Sequence, residues 1–191
     1  MTTPMTDEQR RIKSYLTAQA AKLEPAAIVA KVRDAMAELE AAAVAVAPSR
    51  FTERPAPDEW SGDEVMAHVA ASDAYFGGGI VSILDDRALP TREERGSAER
   101  AARSADEWCR GLARDREALF DRVRAASLDS RPDRTIEHGM FGPLTWREAL
   151  LFLRLHDLDH AGQLRQIATA LPPHGGRIAL GVISVKQSPP R

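Results

Sequence analysis

The chain has 191 residues, 43% of them hydrophobic and 28% charged, with a formal net charge of −2. That balance is ordinary for a globular protein with a real core, and it excludes a basic surface that would recruit nucleic acid. One cysteine, Cys109, excludes an internal disulfide, and no run approaches the ~18 apolar residues of a membrane span, so a single soluble, cytoplasmic domain over 1–191 is expected.

Helical periodicity dominates from the start. A short N-terminal helix is expected over about Asp7–Leu23, with Thr6 as its cap and Gln9 three residues on. Pro25 suits the first position of a second helix, whose stripe Ile28, Val32, Met36, Leu39, Ala43 and Val46 runs until Pro48. Three prolines mark 48–60 as a connector. Ser61-Gly62-Asp63-Glu64 is then a capping box that launches a helix carrying Val65, His68, Val69, Ser72, Phe76, Gly79, Ile80 and Ile83. Gly77-Gly78-Gly79 interrupts this pattern. It predicts a kink, a break, or a close approach by another backbone or a ligand.

A charged loop follows around Pro90–Gly96. The next helix begins near Ser97 or Ser104 and carries Trp108, Leu112, Leu119, Phe120 and Val123. Residues 128–142 are irregular, with Ile136–Gly142 a candidate short hairpin. Thr145-Trp146-Arg147-Glu148 is another capping box, and the helix it opens runs to Pro172-Pro173. The apolar stretch Ile178–Val185 reads as a strand, a dimer arm or a tail. Four main helices with little strand predict an all-α four-helix bundle, with a short N-terminal helix and an extended C-terminal tail.

The last helix carries the chemistry. His156 and His160 stand at i and i+4 on its apolar stripe, between Leu153 and Leu164. A polar ring on such a face needs a partner, and a metal ion satisfies both rings at once. His68 lies on the apolar stripe of the helix behind the Ser61 box. Three imidazoles from two facing helices would hold an ion with a coordination position left open. Asp157 and Gln163 are candidate partners for the outward N–H groups of those rings, whereas Asp159 points away. Ser72 and Phe76 are candidate pocket residues, although packing suits Phe76 better. His138 reads as a loop histidine, His174 as exposed, Cys109 as packing, and Trp60 and Trp146 as core plugs. No catalytic residue is singled out.

Three segments in this order resemble the DinB-like (YfiT-like) family over roughly Ala26–Leu171. They are Trp60–Val69, Gly142–Leu150 and His156-Asp157-Leu158-Asp159-His160-Ala161-Gly162-Gln163-Leu164. The resemblance implies a four-helix bundle with a divalent metal on His68, His156 and His160. It also implies kinship with bacillithiol transferases and the mycothiol-dependent maleylpyruvate isomerase, where a metal activates a small thiol. Zinc or nickel suits such a donor set. The expected partners are a small-molecule thiol and an electrophile, with a homodimer as a further expectation. A bundle that binds metal or ligand without turnover, and a metal-free bundle with hydrogen-bonded histidines, stand beside this.

Overall fold

The computed structural model describes residues 5–91, 101–127 and 129–173. Among these residues five helices and one hairpin follow in chain order: α1 Asp7–Lys22, α2 Pro25–Ala45, α3 Gly62–Leu84, α4 Ala105–Arg124, β1 Thr135–His138, β2 Gly142–Thr145 and α5 Trp146–Ala170. A single 3-10 turn, Pro48–Arg50, lies between α2 and α3. None of these helices is long and apolar enough to cross a membrane. His174, the segment 92–100 and the stretch Ile178–Val185 lie outside the described residues.

The helix starts follow from local chemistry. Thr6, Ser61, Ser104 and Thr145 each accept from the backbone N–H three residues on, and Gln9, Glu64, Glu107 and Glu148 reach back to the cap. Ser104, not Ser97, therefore opens α4. Pro25 occupies the first turn of α2, where its missing N–H leaves no bond unmade.

α5 is the central element, packed along α2 and α3 and touched by α1, while α4 lies against α3 and α2. α1 docks through Thr17, whose hydroxyl is 2.6 Å from Glu148 Oε1, and through Lys13, which donates to the Pro143 carbonyl at 2.8 Å. The hairpin is antiparallel, with Ile136 opposite Leu144 and His138 opposite Gly142. Gly142 has φ +67°, a left-handed conformation that glycine adopts without a Cβ penalty.

The glycine triplet does not break α3, which runs through it from Gly62 to Leu84. Its use is close approach: a Cβ on Gly79 would stand 2.9 Å from Ile136 Cδ1, so the missing side chain lets β1 press onto the helix.

The apolar core is in two parts. One, nearer the hairpin, contains Ile28, Val32, Phe76, Ile80, Leu119, Phe120, Val123, Ile136, Trp146, Leu150 and Leu153. The other contains Leu39, Val65, Met66, Val69, Trp108, Leu112, Leu164 and Ile167. On α3, α4 and α5 alike a buried charged residue falls between the two: Asp73, Arg116 and Asp157.

Candidate metal centre

α3 and α5 bring the three histidines together. His156 Nε2 lies 3.1 Å from His68 Nε2 and 3.2 Å from His160 Nε2, and the three potential ligand nitrogens all fall within 4.8 Å of one another. The i, i+4 spacing stacks His156 over His160 on one face of α5, and the Ser61 cap sets where α3 begins and hence where His68 falls.

Burial is uneven across the three. His160 is buried at 8% exposure and His156 is half-buried, but His68 is exposed. Placing His68 on a core-facing stripe is therefore corrected. It sits where the stripe meets solvent, and the centre opens there instead of being sealed inside the bundle.

Proton counting decides what the cluster is suited to. A neutral imidazole has one N–H. His160 Nδ1 is 2.9 Å from Gln163 Oε1, an arrangement that places the His160 proton on Nδ1 and a lone pair on Nε2. His156 Nε2 faces both other Nε2 atoms, and one proton cannot lie along both lines. His156 Nδ1 is buried with no hydrogen-bond partner. Burial pushes the His156 imidazole down to about 2, with the charges of His160, His68 and Arg116 adding to it; His68 is also lowered, by burial and by His160. His156 and His68 are thus biased toward their neutral forms, and the Nε2 atoms of all three rings converge. Nitrogens 3.1–3.2 Å apart can both reach one ion at Zn–N distances of about 2.0–2.1 Å. The donor set fits a divalent metal.

Two kinds of surface flank the centre. Phe152 lies 5.4 Å from His156, ring to ring, and belongs to an aromatic cluster with Phe76, Phe141 and His138. His138 does not stand free in a loop: its ring stacks on Phe141 at 4.6 Å, and its Nδ1 accepts from the Met140 and Phe141 N–H groups. On the other side, Trp60 lies 5.1 Å from His68 and stacks near-parallel to His160 at 6.4 Å. At 39% exposure Trp60 is a rim residue, which corrects its assignment as a core plug; Trp146, at 1%, is one. Beyond Trp60 a cleft of about 660 Å³ is lined by Asp58, Glu59, Gln163, Gln166 and Ile167.

Asp157 does not serve the rings. Both of its oxygens go to Arg116, and Arg116 Nε donates to Asp73 Oδ1 at 2.9 Å. Burial alone would push the Arg116 guanidinium down, but the two carboxylates outweigh it and keep it charged. Arg116 and Asp73 were not singled out in the sequence. The available signal was a charge on an apolar stripe: Arg116 stands four residues after Leu112, and Asp73 four after Val69. Phe76 is buried and Ser72 half-buried, while Asp159 is exposed. Burial raises the Cys109 thiol to about 11, helped by Glu40 and Asp106, which leaves it a packing residue rather than a nucleophile.

The family described as the DinB superfamily matches residues 31–164, a span that holds all three histidines, Asp73, Arg116 and Asp157. No curated protein and no solved structure matches the chain.

Proposed function

We propose that this chain, which belongs to the DinB superfamily, holds a divalent ion, zinc or nickel, on His68, His156 and His160 and acts as a low-molecular-weight-thiol S-transferase or isomerase. The observation that carries this is the convergence of three Nε2 atoms beside an exposed His68, which leaves one side of the centre open to a small molecule. A divalent ion bound there would draw the proton from a coordinating thiol near neutral pH. The remaining work falls to the chain. Gln163 orients His160 through Nδ1. Phe152 and the rings behind it give a dry wall for the apolar part of an electrophile. The cleft beside Trp60 and Gln163 has room for the polar remainder of a thiol. The new C–S bond takes its electron pair from the thiolate sulfur; a halide leaves with the broken bond's pair, or an epoxide oxygen keeps it and takes a proton from water.

A second reading is a bundle that holds metal and ligand without turnover. It is favoured by Asp157, the carboxylate next to His156, being committed to Arg116 instead of facing a substrate.

The test uses untagged protein. Stoichiometric zinc or nickel, lost in His156→Ala, supports the centre; traces of metal unchanged by that substitution overturn it. Metal-loaded protein is then assayed with monochlorobimane and mycothiol, bacillithiol or glutathione in parallel. Conjugation that requires the metal and prefers one thiol supports the transferase. Metal bound without thiol consumption favours the second reading.

A further inference from the structure

The layer between the two apolar cores is built from one guanidinium and two carboxylates, each from a different helix. Arg116 of α4 is 0% exposed, Asp157 of α5 is 0% exposed and Asp73 of α3 is 6% exposed. Burying such a group is a poor route to stability, because well-packed apolar residues of similar volume commonly do as well or better. Asp157 follows His156 directly, Asp73 lies five residues after His68, and α4 supplies no histidine to the centre.

We infer that Arg116, with Asp73 and Asp157, is a positioning device for the three-histidine centre: it fixes how α3 and α5 are turned about their own axes, so that their imidazoles meet. The inference rests on the metal reading above.

The geometry is that of a helical wheel. Successive residues turn by about 100°, so Asp157 stands about 100° round α5 from His156 and about 60° from His160. Asp73 stands about 140° round α3 from His68 by the same count. Anchoring these carboxylates on α4 therefore sets the direction in which the histidines point, toward the groove between α3 and α5. Apolar side chains tolerate small rotations of a helix, whereas a planar fork gripping both oxygens of Asp157 does not. An imidazole Nε2 lies about 6–7 Å from its helix axis, so a turn of about 10° moves it by about 1 Å. Metal–ligand distances tolerate only about 0.2 Å. Small rotations of α3 or α5 thus decide whether three nitrogens share an ion.

The experiment compares wild type with the apolar triple variant Arg116→Met, Asp73→Leu, Asp157→Leu. Three readouts are taken: the melting temperature of metal-free protein, the Co(II) affinity by competition with a chromophoric chelator, and the Co(II) d–d spectrum. The expected result is a folded variant with a melting temperature at or above wild type. Its Co(II) affinity falls roughly tenfold to a hundredfold, the range for lost outer support of metal ligands, and its d–d spectrum is altered. Wild-type affinity and spectrum in the variant overturn the inference. If the triple variant does not fold, Arg116→Lys decides: it keeps the charge and gives up the two-pronged grip. A folded Arg116→Lys with weakened Co(II) binding supports the inference, and one with unchanged binding overturns it. Failure of the metal reading looks different, because wild type itself then binds no Co(II).

Discussion

Gln163 Oε1 lies 2.9 Å from His160 Nδ1, three residues along the same helix. A donor–acceptor pair there fixes the tautomer of His160 and turns its Nε2 lone pair toward His156. Gln163→Leu is therefore expected to weaken zinc binding by about tenfold or more, while the metal-free protein melts as wild type does. A chelator-competition titration beside a thermal scan checks both halves.

Arg116→Met alone should behave unlike the apolar triple variant. It leaves Asp73 and Asp157 buried without their cation, and breaking a buried pair from one side costs about 3–5 kcal/mol. Urea denaturation measures this directly. A loss under about 1 kcal/mol would mean that the carboxylates find other partners.

The metal-free protein should lose stability in mild acid. His156 is held at about 2 when folded, against an ordinary value of 6.5. Between those values the unfolded chain binds a proton that the native chain does not, so stability is intact above pH 6.5 and falls as the pH drops below it. The slope contributed by this one proton is about 1.4 kcal/mol per pH unit. Urea midpoints at pH 7, 6 and 5.5 should fall in that order, and His156→Phe should flatten the trend.

Gly78 and Gly79 should respond to alanine in opposite directions. Gly78 has only Pro90 Cγ near its would-be Cβ, at 3.9 Å, so Gly78→Ala should stabilise α3 by up to about 1 kcal/mol. Gly79→Ala drives a methyl to 2.9 Å from Ile136 Cδ1 and 3.0 Å from Cγ1. Overpacking of about 1–3 kcal/mol then outweighs the gain in helix propensity. The two melting temperatures, moving apart from wild type, are the check.

Trp60 should report on the centre. Its ring lies 5.1 Å from His68, whereas Trp108 and Trp146 are buried in the two apolar clusters. Titrating Ni(II) or Co(II) into metal-free protein should quench part of the tryptophan emission. Trp60→Phe should abolish most of that change without altering stoichiometry.

What the sequence made legible was local. Three reciprocal caps, at Thr6, Ser61 and Thr145, are read as spacings of three residues, and the pairing of His156 with His160 is a spacing of four, so both survive folding unchanged; the fourth cap, Ser104 with Glu107, settles a start that the sequence left between Ser97 and Ser104. The hairpin at Ile136 was legible from its glycine breakers. The rest depended on how helices are turned and how near they approach. Periodicity places His68 on a stripe but does not say that the stripe ends there at solvent. Trp60 looked like a plug because its neighbours do not reveal that the groove opens beside it. Arg116 and Asp73 were overlooked because a stripe is traced through its apolar members, and the charges between them look like gaps. Gly79 fits the same pattern, since its meaning lies in Ile136, 57 positions away.

The exposure of His68 bears on how an ion would be kept. A centre with two sheltered nitrogens and one at the water's edge can trade its ion by releasing His68 first, without opening the bundle. Its occupant would then follow whichever metal the surroundings buffer at the highest effective activity, and a soluble chelator could reach it within the lifetime of the folded state. Resistance to stripping would have to come from a molecule lying over His68, which makes the rate of metal loss a probe for such a molecule, whatever its identity.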